Sequence, residues 1–259
     1  MSRRAVWWLV GFSLLVWVGL GVAVAQGWLG PDVDRGAGFC ESGNGWIRQP
    51  INTASNFGFT VAALAVAWRA TQGSAMGRAV WGYVGLLALL GPASAAMHAT
   101  ESALGGHLDT LSMYLFAGFT AAYACTRWFG LSLASAAVLF VGFVVGCELI
   151  AWLIGPIPVL QHAGNTAFAV LLILTLSLEA QIARRDGHST KWGVVALVVL
   201  LAAFAIWLPS RSGGSLCQPD SIVQGHGVWH LLGAVAAWCL YLYYDQRPTL
   251  PTTATSRGG

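Results

Sequence analysis

Three histidines, an aspartate and a serine lie at the ends of long apolar runs, where ionisable side chains are costly. Ser94 and His98 are four residues apart, so their side chains share one face of a helix. His226 and His230 have the same spacing at the start of the last apolar run, and Asp109 begins another run. Polar residues within membrane helices usually face a protein interior or a water-filled cavity with a function. We therefore expect these five side chains to meet at one level.

This combination of side chains predicts a metal site with hydrolytic chemistry. Three neutral imidazoles with an open fourth position are a common catalytic zinc arrangement, with Zn–N distances of roughly 2.0 to 2.1 Å. Zinc lowers the pKa of a bound water to about 7, and a nearby carboxylate can hold or deprotonate that water. The sequence thus predicts one zinc ion per chain, bound by His98, His226 and His230. Asp109 is the only acid that we place at this level, so it is the candidate base.

Each of these residues also has an ordinary structural interpretation. A single histidine at a membrane interface is more often a hydrogen-bonded structural residue, and only the convergence of three favours a metal. Ser94 alone would be a serine bonded back to its own helix. His107, in the outer connection, and His162, near the start of the sixth run, are interpreted as structural. The chain contains no HExxH, GxSxG, P-loop or dinucleotide motif.

The composition requires a membrane. Hydrophobic side chains make up 56% of the 259 residues and charged ones only 9%, whereas soluble domains carry about 25% charged residues. The apolar side chains exceed what one water-soluble core of this length could bury, so the bilayer must be part of the solvent. The net charge of +3 is small, and the basic residues are scattered. This pattern excludes a nucleic-acid site.

Eight apolar runs of about 20 residues, the length that crosses a bilayer as a helix, predict the architecture. We predict an all-α integral membrane protein, with a seven-helix transmembrane bundle plus one additional N-terminal transmembrane helix. Its expected parts are an N-terminal transmembrane helix (1–28), an extracytoplasmic segment (29–50), the seven-helix core (51–246) and a disordered cytoplasmic tail (247–259). The runs lie near residues 5 to 28, 52 to 69, 79 to 98, 107 to 126, 131 to 154, 158 to 182, 192 to 209 and 226 to 245.

The first run has two interpretations. Arg3 and Arg4 precede an apolar stretch that ends in Ala23-Val24-Ala25, which also resembles a signal peptide with a small-residue cleavage site. The apolar part is long for a signal peptide, which favours an uncleaved anchor. Both interpretations place the segment from Gly30 to Pro50 outside the cytoplasm.

The distribution of basic residues predicts the orientation, because Lys and Arg are retained on the cytoplasmic side. With eight spans and the N-terminus inside, only Arg35, Arg48 and Arg211 face outward. The other ten of the 13 basic residues then face the cytoplasm. Both termini are therefore expected to be cytoplasmic, and the histidine level is expected to be extracytoplasmic.

Two of the five cysteines are predicted to form a disulfide. Cys40 and Cys217 are the only cysteines outside the predicted spans, and both fall on the oxidising, extracytoplasmic side. We expect them to pair, and we expect Cys125, Cys147 and Cys239 to remain reduced as small apolar core residues.

The motifs resemble the signature series of the alkaline ceramidase family, which belongs to a wider superfamily of membrane hydrolases that includes the adiponectin receptors. The similarity runs from about Cys40 to Tyr244 and leaves the first run as an addition. Individually the motifs are weak, but their order and spacing are specific. They are Cys40-Glu41, the segment from Gln49 to Asn56, Ser94 to His98, Leu108-Asp109 and His226 to His230.

The resemblance implies a role for each matched position. The family's three zinc ligands correspond to His98, His226 and His230. The aspartate that works on the metal-bound water corresponds to Asp109, and the serine that helps to stabilise the developing oxyanion corresponds to Ser94. The implied reaction cleaves the amide of ceramide into sphingosine and a fatty acid.

The chain departs from the family in the acidic segment that binds calcium. Eukaryotic members have two carboxylates there that this chain replaces by Gly38 and Gln49. Calcium prefers six to eight oxygens with several carboxylates, so the departure argues against calcium as a cofactor. Glu41 and Asn44 are the remaining candidate calcium ligands, and Asp32 and Asp34 could add further oxygens.

The leading hypothesis is therefore a zinc-dependent lipid amidase for ceramide or a similar N-acyl lipid, with a substrate that enters sideways from the membrane. A heptahelical receptor or sensor with a structural zinc is the main alternative, and a transporter with a His and Asp proton relay is another. The twin arginines before an apolar run and the short loops are compatible with a bacterial inner membrane. The site would then face the periplasm.

The orientation can be tested with topology reporters. We predict that reporters fused after residue 40 and after residue 217 lie outside the cytoplasm, while a reporter at the C-terminus lies inside, because of the distribution of Lys and Arg. An interior signal from the fusion after residue 217 would contradict the eight-span topology.

Overall fold

The described residues are predominantly helical. The computed structural model describes residues 1–43, 45–154 and 163–246, with nine α-helices and two 3₁₀ helices in these ranges. The 3₁₀ helices are Ala37–Phe39 and Leu208–Ser210. The α-helices are α1 (Arg3–Ala25), α2 (Pro50–Ser55), α3 (Phe57–Ala70), α4 (Ala79–Thr100), α5 (Ala103–Phe129), α6 (Leu133–Ile154), α7 (Ala163–Asp186), α8 (Lys191–Trp207) and α9 (Gly225–Tyr244).

The protein is a multi-pass membrane protein. Among the described residues, six helices are long and apolar enough to cross a bilayer, namely α1, α4, α6, α7, α8 and α9. The sequence predicted eight spans. The shortfall has a physical reason, because α3 has only 14 residues and α5, although 27 residues long, is more polar along its length. Two of the eight predicted spans therefore fall short, one because its helix is short and the other because it is rich in polar residues that the bundle has to cover.

The predicted second span is interrupted near the candidate site. Instead of one helix over 52 to 69, the chain forms α2, a turn at Asn56 and then α3. The buried carbonyl of Asn56 lies against Gly91 of α4, where an added Cβ would lie 2.6 Å from the oxygen. Only glycine at position 91 allows the two helices to come this close. The next residue, Pro92, has no backbone N–H to donate within α4. The interruption separates the short polar α2 from the apolar α3.

A tight turn connects α4 to α5 and keeps their ends together. Glu101 adopts the left-handed conformation (φ 51°) that ends α4, and Ser102 caps α5 by accepting a hydrogen bond from the N–H of Gly105. A Cβ on Gly105 would lie 2.7 Å from the Ala96 carbonyl and 2.9 Å from Cα of Met97. This glycine therefore permits the start of α5 to lie directly on the end of α4.

Burial separates an interior from a lipid-facing surface. Helix α4 is mostly buried and packs against α3 and α5, and α9 packs against α3 and α8. In contrast, α1 and α6 have very few buried side chains and carry large exposed apolar ones. Exposed leucine, valine and tryptophan side chains on such helices are suited to a lipid environment. The two helices that carry the predicted zinc ligands are thus interior helices.

The additional helix α1 is packed against the bundle. The indole N–H of Trp17 donates to the hydroxyl of Thr60 (2.9 Å), and its ring stacks on Phe57 with the ring centres 3.7 Å apart. Val6 is buried in the same interface. The contacts attach α1 to α3 and α4.

The close approach at Gly105 can be tested by a single methyl group. We predict that Gly105→Ala lowers the free energy of unfolding by about 1 to 3 kcal/mol, since the backbones of α4 and α5 must move apart. Thermal unfolding in detergent measures the change. Gly142→Ala is the matched control because an added Cβ there meets no atom within 4 Å. Equal unfolding midpoints for the two variants would contradict the predicted packing constraint.

Candidate metal centre

The three histidines predicted as ligands come together in the interior. One ring nitrogen from each of His98, His226 and His230 lies within 4.8 Å of the others, and all three side chains are buried. The Nε2 atoms of His98 and His226 are 3.2 Å apart. The pairwise distances between ring centres are 4.5 to 4.9 Å. The cluster joins the C-terminal end of α4 to the first turns of α9.

The geometry is compatible with a zinc ion. Two nitrogens that each lie roughly 2.0 to 2.1 Å from a tetrahedral zinc are about 3.3 Å apart, close to the separation of the His98 and His226 nitrogens. The donors are neutral-type imidazoles in a buried position, which is the ligand set that zinc prefers. The donor type of all three residues and the spacing of the His98 and His226 nitrogens are therefore compatible with a metal such as zinc.

Hydrogen-bond partners from the chain around α2 hold two of the three rings. Nδ1 of His98 lies 2.7 Å from Oε1 of Gln49, and Nδ1 of His230 lies 2.8 Å from the hydroxyl of Ser55. The side-chain amide of Asn56 also approaches Nδ1 of His230, at 3.2 Å. In both rings Nδ1 is engaged with a neighbour, which leaves Nε2 for the centre of the cluster.

The third ring is held by aromatic contacts. Phe39 stacks on His226 with ring centres 4.1 Å apart and meets His98 edge-on at 5.2 Å. Trp207 lies on another side of His226, with ring centres 5.9 Å apart. Nδ1 of His226 is buried without a hydrogen-bond partner among the described residues. The apolar rings exclude water from this side of the cluster.

The predicted serine and aspartate form a second group beside the histidines. Ser94 is buried one helical turn before His98, and its side chain hydrogen-bonds to the carboxylate of Asp109. The positive charge of Arg35 acts on the same carboxylate, and the Arg35 side chain lies against Gly106. The structure therefore joins Ser94 to Asp109, one turn away from a candidate zinc ligand.

The expectation that Asp109 is the only acid at this level is wrong. Glu148 of α6 lies 3.9 Å from Nδ1 of His107, which is two residues before Asp109 on α5. Glu148 lies inside the otherwise apolar run 131 to 154, where nothing in the sequence indicated that it reaches this level. His107 contacts this glutamate and not the cluster, as expected for a structural residue, and His162 lies outside the described residues.

The predicted disulfide is confirmed. Cys40 and Cys217 are bonded, and the other three cysteines are free and buried. The bond ties the segment that contains Phe39 to the loop before α9, which carries two of the candidate ligands. The side-chain hydroxyl of Ser212 reinforces this connection, since it accepts a hydrogen bond from the N–H of Cys40 (3.0 Å) and donates one to the carbonyl of Ala37. The segment is thus fixed over the histidine cluster.

The candidate calcium ligands have other partners. Both carboxylate oxygens of Glu41 accept main-chain N–H groups at the start of α2, from Ile51 (2.6 Å) and Asn52 (2.7 Å). Burial raises the pKa of Glu41, and these two donors oppose the shift. Asn44 lies outside the described residues. The structure therefore assigns the Glu41 carboxylate to capping a helix.

Three other acids form a second group next to Gln49, which donates to Glu101. The carboxylates of Asp32, Asp34 and Glu101 lie within 4.8 Å of one another, and Asp32 is paired with Arg48 at 3.0 Å. Burial raises the pKa of Glu101, and the two aspartates raise it further, whereas the hydrogen bond from Gln49 lowers it. Most of this group is exposed, and an acidic cluster of this kind is common without an ion.

The fold and the cluster together define a class, namely a multi-pass helical membrane protein with a buried three-histidine cluster that can hold a metal. The chain belongs to the ceramidase family. The family model described as Ceramidase matches residues 39–251, which confirms the resemblance and leaves α1 outside the match. No curated protein matches the sequence. The family assignment indicates a hydrolase that acts on the amide bond of ceramide.

The metal site can be tested by elemental analysis. We predict that the purified protein contains one zinc per chain and that His98→Ala, His226→Ala and His230→Ala each lower the zinc content, because each removes one of three ligands. His107→Ala is the matched control, since His107 is outside the cluster. Full zinc occupancy in all three cluster variants would rule out this site.

Proposed function

We propose that this protein is a zinc-dependent intramembrane hydrolase that cleaves the amide bond of ceramide or a similar N-acyl lipid. The products would be a free fatty acid and a sphingoid or other amine. The observation that carries the proposal is the convergence of three buried imidazoles within 4.8 Å of one another, in a chain of the ceramidase family. Family membership alone supports the hydrolase, whereas the cluster supports the metal.

His98, His226 and His230 would bind the zinc. Bound zinc would lower the pKa of a coordinated water and would act as a Lewis acid that polarises the amide carbonyl. The burial of the rings and the aromatic contacts around His226 keep bulk water away, which strengthens electrostatic interactions at the site. The chain thus contributes a rigid set of ligands, shielded from bulk water, at the end of α4 and the start of α9.

Asp109 would act as the base and Ser94 as a donor to the reacting carbonyl. A carboxylate accepts a proton when the nucleophile forms and can return it to the leaving amine, which must be protonated to depart. The Ser94 hydroxyl bonds to Asp109, and the same hydroxyl can turn to the oxyanion when substrate is present. The Arg35 charge favours the ionised carboxylate that a base requires.

The membrane arrangement is part of the proposal. The core would be seven transmembrane helices, counted as α2 with α3, α4, α5, α6, α7, α8 and α9, and α1 would be an additional N-terminal span. The basic residues support cytoplasmic termini and an extracytoplasmic, periplasmic site in a bacterial inner membrane. The disulfide between Cys40 and Cys217 agrees with an oxidising compartment on the cluster's side.

The substrate class follows from where the cluster lies. An N-acyl lipid would keep its chains in the bilayer, and its amide would reach the level of the histidines near the helix ends. The exposed apolar surfaces of the peripheral helices α1 and α6 are suited to lipid contact. We propose that calcium is not required, because Glu41 is used as a helix cap.

The assignment of the base can be tested against a second carboxylate. We predict that Asp109→Asn retains zinc but loses turnover by about 100- to 10,000-fold, the range attributed to general acid–base catalysis. Release of fatty acid from a ceramide by purified protein measures the change. Glu148→Gln is the matched control and should retain turnover, since that carboxylate is near His107. We expect Ser94→Ala to lose roughly 100- to 1,000-fold, as for loss of one oxyanion donor.

Three outcomes would contradict the mechanism in different ways. Full turnover in both Asp109→Asn and Ser94→Ala would remove the proposed roles while leaving the zinc site intact. Loss of turnover in Glu148→Gln but not in Asp109→Asn would show that Glu148, and not Asp109, is the base. A zinc-bound parent protein that cleaves no N-acyl lipid would favour a receptor with structural zinc.

A further inference from the structure

The side chain of Gln49 is buried and uses its whole amide group. Its nitrogen donates to the carbonyl of Gly36 (2.7 Å) and to the carboxylate of Glu101 (2.6 Å). Its oxygen accepts from the side-chain amide of Asn52 (3.1 Å) and lies 2.7 Å from Nδ1 of His98. The side chain is 1% exposed. Every hydrogen-bonding position of this amide therefore has a partner.

These partners fix which way the amide points. A main-chain carbonyl can only accept, so the group that faces Gly36 must be the amide nitrogen and not the oxygen. The amide oxygen therefore faces His98. Since this oxygen can only accept, Nδ1 of His98 must carry the proton.

The state of the His98 ring follows directly. A neutral imidazole has one N–H, so a ring protonated on Nδ1 presents a lone pair on Nε2. Nε2 is the atom of His98 that lies 3.2 Å from His226, inside the cluster. We propose that Gln49 is a positioning residue that holds His98 in the Nδ1–H form and aims its Nε2 at the metal. This inference rests on the zinc site of the proposed function.

Main-chain bonds keep Gln49 in register with its histidine. The N–H of Gln49 donates to the carbonyl of His98 (2.9 Å), and the N–H of Arg48 donates to the carbonyl of Ala99 (3.0 Å). Gln49 is thus attached to the same residue twice, once through its backbone and once through its side chain. The two attachments leave the His98 ring little freedom to rotate.

Nδ1 of His230 also faces this stretch of chain. It lies 2.8 Å from the hydroxyl of Ser55 and 3.2 Å from the side-chain amide of Asn56. The residues around α2 therefore contact Nδ1 of two candidate ligands that lie on different helices.

Such a partner influences a metal site in two ways. It fixes the tautomer and orientation of the imidazole, and it raises the basicity of the nitrogen that binds the metal. Removal of a partner of this kind typically costs 10- to 100-fold in metal affinity. The same range is expected for the loss of the Gln49 acceptor.

The test compares three variants of the full-length protein. Gln49→Met keeps the length of the side chain but removes the amide. Glu101→Ala is the matched control, because it removes one partner of Gln49 and leaves the bonds to Gly36 and His98. The double variant Gln49→Glu with Glu101→Gln keeps an acceptor oxygen facing His98 and supplies an amide donor from position 101, so that only the bond to the Gly36 carbonyl is lost.

Zinc affinity, measured by competition with a chelator, is the first measurement. We expect Gln49→Met to weaken zinc binding by about 10- to 100-fold and the control to bind like the parent. The double variant keeps the acceptor at His98 and should bind zinc more tightly than Gln49→Met. The double variant also tests the proposal if Gln49→Met does not fold. A Gln49→Met protein that binds zinc as tightly as the parent, or a folded double variant that binds it as weakly as Gln49→Met, would overturn the proposal.

The second measurement reports the tautomer without metal. Nitrogen-15 NMR of histidine-labelled, zinc-free protein distinguishes the two ring nitrogens, and the His98 signal is identified by its loss in His98→Ala. We expect the Nδ1–H form in the parent and a mixture of forms in Gln49→Met. An unchanged Nδ1–H form in Gln49→Met would overturn the proposal. If the parent binds no zinc, the proposed function fails, while this measurement still decides whether Gln49 fixes His98.

Discussion

The structure depends on one constraint, which is that imidazole rings buried among apolar helices need hydrogen-bond partners from the surrounding chain, and two of the three rings have such a partner at Nδ1. Unpaired polar groups in such an interior cost free energy, so the surrounding chain has to supply donors and acceptors. Here they come from the residues around α2, where Gln49 and Ser55 bond to His98 and His230. The interruption of the predicted second span at Asn56 is a consequence, since it leaves a short polar helix beside the cluster while α3 continues as an apolar one.

The segment before α2 satisfies a second constraint, because the last carbonyls of α4 have no partners within their own helix. The N–H groups of Arg48 and Gln49 donate to the carbonyls of Ala99 and His98, and Glu41 in turn accepts the first N–H groups of α2. The bond from Cys40 to the loop before α9 then ties this segment to the other ligand-bearing helix. Helix ends, disulfide and histidines are therefore parts of one connected arrangement.

The sequence predicted those features that follow from local spacing and composition. Two pairs of polar residues four apart placed Ser94 with His98 and His226 with His230, and membrane topology predicted the disulfide. The partners of the histidines were not predicted, because Gln49 and Ser55 reach their rings through folds of the chain that spacing does not determine. One feature of the sequence did indicate them, namely the many polar residues between Gln49 and Asn56 at the start of an apolar run. So many polar residues argue against one continuous transmembrane helix there, and the structure indeed has two helices, α2 and α3.

The opposite half of the bundle shows why the histidine cluster is suited to a cation. There Arg127 and Glu179 form a 2.6 Å ion pair surrounded by tyrosine rings, which joins α5 to α7 and neutralises its own charge. Opposite charges of this kind satisfy one another and need no further ion. In the histidine cluster the proposed bond from Nδ1 of His98 to Gln49 leaves an acceptor lone pair on Nε2 of His98, on the side of the other two rings. Imidazole lone pairs that converge on one point repel one another and attract a cation, so a hydrogen bond that satisfies Nδ1 also makes the cluster suitable for a metal.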